Sequence, residues 1–314
     1  MSKVLDQTVS GNFALYNADC VEVVRGLPSA SIHYSVFSPP FASLYTYSDS
    51  PRDMGNSRDY EQFEEHFLFL VRELARVMVP GRLVSVHCMN LPTSKTRDGV
   101  IGIRDFRGDI IRWFQAEGFI YHSEVVIWKD PVVAMQRTKA LGLLHKQLVK
   151  DSSMSRQGIP DYVVTFRAPG DNPEPIAGEL DRFVGDDSFV STGRLSIDVW
   201  QRYASPVWSD IDYGRTLQYT TARDDNDERH IAPLQLDVVE RCVQLWSNEG
   251  DTVLSPFAGI GSEGHVSLLM GRRFIGAELK PSYYAVAADN LRRAEAHRGQ
   301  SRLFSDVSEA EAEA

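Results

Sequence analysis

The sequence has few of the features that mark secreted, membrane or metal-binding proteins. Its three cysteines, Cys20, Cys88 and Cys242, lie far apart, without a C-x-x-C pair or clustered histidines, which argues against a disulfide framework and a zinc site. No run of about 18 apolar residues occurs, and the N-terminus lacks the basic-then-apolar order of a secretory signal. We therefore expect a cytoplasmic protein with reduced cysteines and no metal.

Positive charge is also scarce. The net charge is −10 and the isoelectric point is about 5.3, which disfavours non-specific coating of nucleic acid, since phosphate binding needs Lys and Arg. Residues 129–167 are the exception, with seven basic residues against three acidic ones. This basic segment is interpreted either as a solvated helix surface or as a contact with phosphates.

Hydrophobic residues make up 43% of the 314 residues, which is enough for one large domain with a buried core. Strand and helix patterns alternate over the first 130 residues and again after residue 234, whereas the pattern is irregular between about 131 and 229. The alternation predicts an α/β fold with a parallel sheet covered by helices on both faces, interrupted by a long insertion. Residues 305–314 are rich in Glu, Ala and Ser and are expected to form a flexible acidic tail.

Hydrophobic periodicity gives the individual elements. The predicted strands are 13–17, 32–37, 83–87, 119–128, 162–166, 252–255 and 273–278. The predicted helices are 20–27, a long helix through 63–77 that begins at the pair Asp59 and Gln62 and ends at Pro80-Gly81, then 106–114, 132–149, 234–246 and 264–270.

A glycine-rich turn follows the strand at 252–255. It reads Gly259-x-Gly261-x-x-Gly264, and Glu278 stands at the end of the next strand. Glycines let a ligand approach the backbone, and a carboxylate at that place can accept both hydroxyls of a ribose, so the pattern indicates a nucleoside-cofactor site. The same spacing also fits a nicotinamide dinucleotide enzyme, or a turn that serves only tight packing.

The position of the turn argues against the dinucleotide interpretation. A dinucleotide domain begins with this turn, but here only about 50 residues follow it, so earlier strands must complete the sheet in a permuted order. Ser38-Pro39-Pro40-Phe41 then falls at the carboxyl end of one such strand. Open α/β sheets bind their ligands at that edge.

Together the two motifs resemble those of the β-class DNA amino-methyltransferases, the N4-cytosine and N6-adenine DNA methylases, over most of the chain. The resemblance implies a circularly permuted, Rossmann-like methyltransferase sheet. Residues 1–130 would form the catalytic half, 131–229 an inserted target-recognition region, 230–304 the cofactor-binding half and 305–314 the tail. It further implies S-adenosylmethionine as methyl donor, S-adenosylhomocysteine as product, double-stranded DNA as substrate, no metal and a homodimer.

The resemblance implies a role for each residue of this sequence that matches a family motif. The catalytic motif (D/N/S)-P-P-(Y/F/W) matches Ser38, Pro39, Pro40 and Phe41. The expected cofactor-binding residues are Asp19 near the adenine, His230 and Pro233 near the methionine part, Ser255, Pro256, Phe257, Gly259 and Gly261 in the turn, and Glu278 at the ribose. The expected DNA-binding residues are Lys129, Arg137, Lys139, Lys146 and Arg156. One departure is plain, since Ser255 stands where the family usually has aspartate.

The implied chemistry concerns an exocyclic amine whose lone pair is delocalised into the base. Hydrogen bonds from that amine to the Ser38 hydroxyl and the Pro39 carbonyl would turn the lone pair toward the methyl group, while Phe41 stacks on the flipped base. Serine at the first position favours cytosine N4 slightly over adenine N6. A nicotinamide-dependent oxidoreductase and a non-catalytic DNA-binding module remain the more remote alternatives.

An aromatic segment in the insertion gives a weak physical reason for a dimer. Its apolar residues are Trp200, Tyr203, Val207, Trp208, Ile211 and Tyr213. Such side chains are favoured at interfaces. The alternative is that they pack the insertion against the sheet.

Overall fold

Strands and helices alternate along most of the chain in a computed structural model, which describes residues 4–40, 54, 57, 60–93, 95–138, 143–154, 157–177, 180–181, 195–218 and 233–312. Within these ranges the strands are β1 (Asp6–Val9), β2 (Phe13–Asn17), β3 (Ile32–Phe37), β4 (Met78–Met89), β5 (Leu91–Pro92), β6 (Ile103–Arg104), β7 (Ile120–Ile127), β8 (Asp161–Arg167), β9 (Leu180–Asp181), β10 (Leu195–Ser196), β11 (Val207–Trp208), β12 (Thr252–Ser255) and β13 (Arg273–Ala277). The helices are α1 (Cys20–Gly26), α2 (Tyr60–Val77), α3 (Lys95–Asp98), α4 (Phe106–Ala116), α5 (Pro131–Thr138), α6 (Gln147–Lys150), α7 (Ile197–Tyr203), α8 (Leu236–Trp246), α9 (Ser262–Leu269) and α10 (Pro281–Ala312).

Nine of the strands form one sheet in the order β1-β2-β13-β12-β3-β4-β8-β7-β11. The central strands β2, β13, β12, β3 and β4 are mutually parallel, whereas β8 runs antiparallel to both β4 and β7. Strands from the end of the chain, β12 and β13, therefore lie between β2 and β3 from its beginning. This arrangement confirms the predicted α/β fold with its permuted strand order.

Helices cover both faces of the sheet, as the alternation predicted. On one face α1, α2 and α4 bury a cluster that includes Val24, Phe67 and Phe114. On the other, α8, α9 and α10 bury a second cluster that includes Val239 and Leu291. Among the described residues, no helix is long and apolar enough to cross a membrane.

Several predicted boundaries differ from the structure. The long helix ends at Val77, and Pro80-Gly81 lies inside β4 rather than stopping the helix. The ladder between β3 and β4 is irregular at this place, where Ile32 pairs with Met78 but Tyr34 pairs with Leu83. Gly81 has a φ of 71°. A bulged strand end accommodates both residues, since proline lacks a ladder donor and glycine tolerates positive φ.

The predicted helix over 132–149 is also not continuous. The chain forms α5 and the short α6, with a turn before α6. Gly142, a poor helix former, stands between the two helices in a part of the chain that lies outside the described residues. Asp59, expected to begin α2, also lies outside them, and α10 continues through residues 305–312, where a flexible tail was expected.

The pairing of β3 with β12 joins the two halves of the sheet, and polar contacts reinforce it. The Ser35 hydroxyl donates to the Leu254 carbonyl over 2.9 Å. At the amino ends of the same strands, the buried Arg82 guanidinium pairs with Asp251 and donates to the His33 carbonyl over 2.9 Å. Arg82 is fully buried and the Asp251 side chain is 6% exposed. Because water hardly reaches either side chain, each charge is stabilised by the opposite charge of its partner.

Replacing Arg82 by Met should lower the free energy of unfolding by about 3–5 kcal/mol, because the substitution leaves the Asp251 carboxylate buried without its partner. Denaturant unfolding followed by circular dichroism measures the change. Arg72→Met is the matched control, since the Arg72 side chain forms an ion pair with Glu117 but is 56% exposed. This variant should lose less than about 1 kcal/mol in the free energy of unfolding. Equal losses in the two variants would contradict the role of the buried pair.

Candidate functional site

Four of the predicted site residues come together at the carboxyl edge of the central strands. Asp19 follows β2, Glu278 follows β13, Gly259 lies in the turn after β12, and Ser38 follows β3. These strands are neighbours and parallel, so their ends meet at one edge even though the residues are up to 259 positions apart in the sequence. This is the edge at which open α/β sheets bind ligands.

The three glycines of the turn have different roles. Gly259 has a φ of 54°, and a Cβ there would meet no described atom within 4 Å, so this backbone faces open space. By contrast, a Cβ on Gly261 would lie 3.3 Å from the Ala287 side chain, and one on Gly264 would lie 2.6 Å from Phe274. Gly259 is thus the position that leaves room for a ligand, while the other two permit close packing of α9 against α10 and the sheet.

Glu278 is fixed by the turn that it faces. Its Oε2 accepts a hydrogen bond from the Gly259 backbone N–H at 2.9 Å, and its Oε1 accepts one from the Lys280 N–H at 2.8 Å. Each carboxylate oxygen can accept more than one hydrogen bond. The geometry suits the expected ribose contact.

Asp19 lies at the next strand end and has a structural role in addition to the expected one. Its Oδ1 accepts hydrogen bonds from the N–H groups of Val21 at 2.9 Å and Glu22 at 3.1 Å, so it caps the N-terminus of α1. The residue is partly buried. Capping fixes the carboxylate beside the cofactor edge of the sheet.

Ser255 occupies the end of β12, where the resemblance implies aspartate. The residue is fully buried, and its hydroxyl makes no hydrogen bond to any part of the chain that the structure describes. A buried hydroxyl without a partner is costly, by about 1–3 kcal/mol. A polar ligand group or a water molecule reaching this hydroxyl would remove that cost.

The Ser38-Pro39-Pro40 segment leaves the sheet next to this turn. Pro39 and Pro40 are buried and Ser38 is partly buried, while the rings of Phe37 and Phe257 pack with centroids 5.7 Å apart. Rigid prolines and the aromatic contact hold the Ser38 hydroxyl in place beside the turn. Phe41, expected to stack on a base, lies outside the described residues.

The remaining predicted residues are only partly described. Pro256 is buried and Pro233 is partly buried just before α8, whereas His230, Lys139 and Arg156 lie outside the described residues, as does the side chain of Arg137 in α5. Lys146 is exposed before α6. Lys129 is different, because its ammonium pairs with the buried Asp161 and its side chain is only 24% exposed. That pairing disfavours the expected phosphate contact.

Two polar groups at this edge were not foreseen from the sequence. His87, near the end of β4, places its Nδ1 3.3 Å from the Ser38 Oγ. Glu263, in the first turn of α9, is 3% exposed, and burial raises its pKa to about 8, with a smaller contribution from Glu278. The sequence placed His87 at the end of the predicted strand 83–87, but it gave no sign of the contact with Ser38.

One group of potential metal ligands exists among the described residues, formed by His33, Glu174 and Asp251. It lies at the amino ends of β3 and β12, the opposite edge from the turn. The Asp251 carboxylate already pairs with the Arg82 guanidinium there. The group is accordingly interpreted as part of the contact between the two halves of the sheet.

Comparison with known sequences identifies related proteins. The sequence model of the DNA methylase family matches residues 32–289. The orphan methyltransferase M.BamHII of Bacillus amyloliquefaciens is 34% identical over 85% of this chain and 91% of its own length. The Type II methyltransferase M.BamHI of the same organism is 22% identical over 84% of this chain, which spans 54% of that protein.

Comparison with solved structures gives the same fold. A Thermus thermophilus protein assigned as a DNA modification methylase, solved in complex with S-adenosyl-L-methionine, has a TM-score of 0.62 and 24% identity, covering 90% of this chain and 96% of its own. The cytosine-N4-specific PvuII DNA methyltransferase has a TM-score of 0.63 and 15% identity. The match covers 95% of this chain and 96% of that protein. These similarities confirm the methyltransferase-like sheet.

The buried Glu263 predicts a pH-dependent stability. The folded protein keeps this carboxyl protonated up to a pKa of about 8, whereas the unfolded chain loses the proton near the ordinary value of about 4.3. Stability should therefore fall as pH rises between about 5 and 8. Glu263→Gln has no proton to lose at this position. The free energy of unfolding of the variant relative to that of wild type should therefore increase from about pH 5 to pH 8, by on the order of a few kcal/mol.

Urea unfolding at several pH values measures this difference between variant and wild type. Glu61→Gln, at an exposed position on α2, reports the effect of removing a carboxylate at the surface. The assignment would be wrong if the stability difference for Glu263→Gln stayed constant with pH.

Proposed function

The chain belongs to the N4/N6 DNA methylase family, and from that premise we propose that it transfers a methyl group from S-adenosylmethionine to the exocyclic amino group of a flipped base in double-stranded DNA. The observation that carries the proposal is the meeting of two motifs at one sheet edge. The Ser38-Pro39-Pro40 segment and the Gly259 turn with Glu278 follow strands that pair directly or through one neighbour. Family membership leaves the nicotinamide alternative without support.

The residues at this edge suit the cofactor. Glu278 can accept the ribose hydroxyls, Gly259 leaves open space for the nucleoside, and Asp19 lies on the side where the adenine is expected. The Ser255 hydroxyl, which has no hydrogen-bond partner among the described residues, would meet a polar group of the methionine part, in place of the aspartate that the resemblance implies. When bound, S-adenosylmethionine supplies an electrophilic methyl group on a positively charged sulfur.

The chain's contribution to transfer is to orient the nucleophile. The Ser38 hydroxyl and the Pro39 carbonyl accept hydrogen bonds from the two amine hydrogens of the base, which turns the nitrogen lone pair away from the ring and toward the methyl group. Holding the two reactants in line converts a bimolecular encounter into a reaction within one complex. The lone pair forms the new N–C bond, and the amine then loses one proton.

We propose cytosine N4 rather than adenine N6 as the target. Two points support this choice, namely Ser38 at the first position of the motif and the fold shared with the PvuII enzyme, which is itself cytosine-N4-specific. The alternative is adenine N6 methylation with the same residues in the same roles.

Residues 131–229 are proposed as the target-recognition region. Lys146 supports the proposal as an exposed cation before α6, near the likewise exposed His145 and Lys150. Arg137, Lys139 and Arg156 would add to this basic surface, against the alternative of a solvated helix face. A DNA methylase of this kind would act in the cytoplasm, where it meets its substrate.

A homodimer is the proposed assembly, supported by the resemblance in motif order. The aromatic segment supports a dimer less strongly than its sequence suggested, because two of its residues, Trp208 and Tyr203, pack into the core beside the sheet. Trp200 is 44% exposed and Val207, on the edge strand β11, is 48% exposed. Light scattering of the free protein tests this assembly, and a monomer mass at micromolar concentration would contradict it.

Methyl transfer should be detectable with tritiated S-adenosylmethionine and DNA amplified in vitro, which carries no methylation. Ser38→Ala should lower the single-turnover rate by about 100-fold or more, because the amine loses one of the two acceptors that orient it. Ser31→Ala is the matched control, since the Ser31 hydroxyl donates to the Pro28 carbonyl outside the site.

Methylation-sensitive sequencing of DNA from cells that express the protein identifies the base and its sequence context in one measurement. N6-methyladenine without N4-methylcytosine would overturn the choice of base. Wild-type protein that binds DNA and cofactor but transfers no methyl group would instead indicate a non-catalytic DNA-binding module.

Replacing Glu278 by Ala should weaken S-adenosylmethionine binding by about 10-fold or more, because two ribose hydroxyls lose a charged acceptor. Isothermal titration calorimetry measures the affinity, and circular dichroism confirms that the variant is folded. Glu295→Ala serves as the control, since this carboxylate binds Ser10 and Asn12 away from the turn. Unchanged affinity in Glu278→Ala would remove the ribose assignment.

A further inference from the structure

A chain of polar side chains extends from Ser38 into the protein interior. The Ser38 Oγ lies 3.3 Å from Nδ1 of His87. The Nε2 of the same imidazole lies 3.4 Å from Oδ2 of Asp161, and the Lys129 ammonium lies 2.5 Å from Oδ1 of Asp161. His87 is 7% exposed and Asp161 is 4% exposed. The three inner residues come from three different sheet elements, β4, β8 and the end of β7.

The ladder explains why these side chains meet. The antiparallel strand β8 pairs His87 with Val163 and Met89 with Asp161, so His87 and Asp161 project from the same face of the sheet. Ile127 pairs with Asp161 from the other side, and Lys129 follows two residues later. Because β3 is parallel to β4, the end of β3 brings Ser38 to the outer side of the imidazole.

The charge state of Asp161 fixes how the protons are arranged. Burial raises the pKa of Asp161, but His87 and Lys129 lower it further, so its pKa lies below the ordinary value. An ionised carboxylate can only accept hydrogen bonds, so Asp161 favours the tautomer with the proton on Nε2, the nitrogen that faces it. At 3.4 Å the two groups are close, but Nε2 makes no hydrogen bond of ordinary geometry among the described residues. In that tautomer Nδ1 is an acceptor for the Ser38 O–H.

We propose, resting on the methyl transfer proposed above, that His87 is a positioning residue that withdraws the hydroxyl hydrogen of Ser38 from the substrate and then accepts, through Ser38, the proton that the base amine loses. With its hydrogen on His87, the Ser38 oxygen presents only lone pairs to the base amine. A neutral serine thereby acts as a pure acceptor, as an aspartate would at the same place.

The proton transfer balances without a further reactant. The amine lone pair forms the N–C bond while the electrons of the S–C bond return to sulfur, which leaves the positive charge on the methylated nitrogen. That nitrogen gives one proton to the Ser38 oxygen as Ser38 passes its own hydrogen to Nδ1 of His87. The imidazolium is stabilised by the Asp161 carboxylate and later releases its proton to water.

The contacts around His87 suit a transient positive charge. Asp161 faces the imidazole directly, and the Lys129 ammonium neutralises part of the Asp161 charge. On the other face of β4, Arg107 and Glu124 pair with each other at 2.7 Å. Both imidazole contacts are longer than an ordinary hydrogen bond, as is common before substrate binds, and substrate is expected to shorten them.

The first test needs no activity. Two-dimensional NMR of protein labelled with nitrogen-15 histidine, compared with His87→Asn to assign the ring, should show His87 protonated at Nε2 and unprotonated at Nδ1 near neutral pH. Asp161→Asn should shift the ring toward a mixture of tautomers. A ring protonated at Nδ1 in the wild-type protein would overturn the proposal, whether or not methyl transfer is detected.

The second test separates positioning from proton transfer. Asparagine can place a carbonyl oxygen near the position of Nδ1 and accept from Ser38, but it cannot take up a proton. His87→Ala should lower the single-turnover methylation rate by about 100-fold, and His87→Asn should recover part of that loss.

His122→Asn is the matched control, because this histidine is exposed on β7 and bonds only to the neighbouring Ser123 among the described contacts. The KM for S-adenosylmethionine should change by no more than about twofold in the His87 variants, since binding is not affected. A rate in His87→Asn no higher than that in His87→Ala, or a rate in His87→Ala equal to that of His122→Asn, would overturn the proposal. A wild-type protein without methyl transfer would contradict the proposed function, and the tautomer measurement would still decide the arrangement of His87.

Discussion

The pairing of β3 with β12 is the contact on which the rest of the site depends. Only two residue pairs are in register, Tyr34 with Val253 and Ser35 with Leu254, yet this short ladder sets the catalytic segment beside the glycine turn. A displacement by one residue would turn Ser35 and its neighbours to the opposite face of the sheet. The contacts at both ends of the pair, Phe37 with Phe257 and Arg82 with Asp251, fix the register.

Burial alone does not determine the charge of the carboxyl groups near the site. Glu263 and Asp161 are both almost fully buried, but the pKa of Glu263 is raised to about 8 while that of Asp161 is lowered. The difference lies in the neighbours, since Asp161 has a histidine and a lysine in contact and Glu263 has a second carboxylate nearby. One edge of the sheet thus contains a neutral acid beside the cofactor turn and an ionised one behind Ser38.

The sequence was most informative where a local pattern and a geometric requirement coincide. Strands 32–37 and 252–255 were predicted with the bounds that the structure gives, because two prolines follow the first strand closely and the glycine turn follows the second. The prediction of one helix over 132–149 was wrong, since its apolar spacing does not show where a helix ends. Asp130 caps the first helix, but no sequence signal that was used marked the end of that helix. Periodicity alone cannot make that choice.

Contacts between distant side chains were the part that the sequence could not supply. Lys129 was assigned to DNA by its charge, but its partner is set by the pairing of β7 with β8, which joins Ile127 to Asp161. His87 was recognised as a strand end, and nothing local connects it with Ser38, 49 residues earlier. By contrast, the place of Gly259 in the turn after β12 followed from the strand pattern before it, and its positive φ suits a glycine.

The interleaved strand order also bears on how the protein is made. Strand β2 pairs with β1 and with β13, and β13 is synthesised about 260 residues later. In the same way β3 can pair with β4 early but with β12 only late. Until then two central strands present open edges, and few local pairings can compensate for the long loops that must close. Because the site is assembled from strands far apart in the chain, we expect the complete sheet to form late and slowly. Before it forms, the unpaired strands of the growing chain are prone to aggregation.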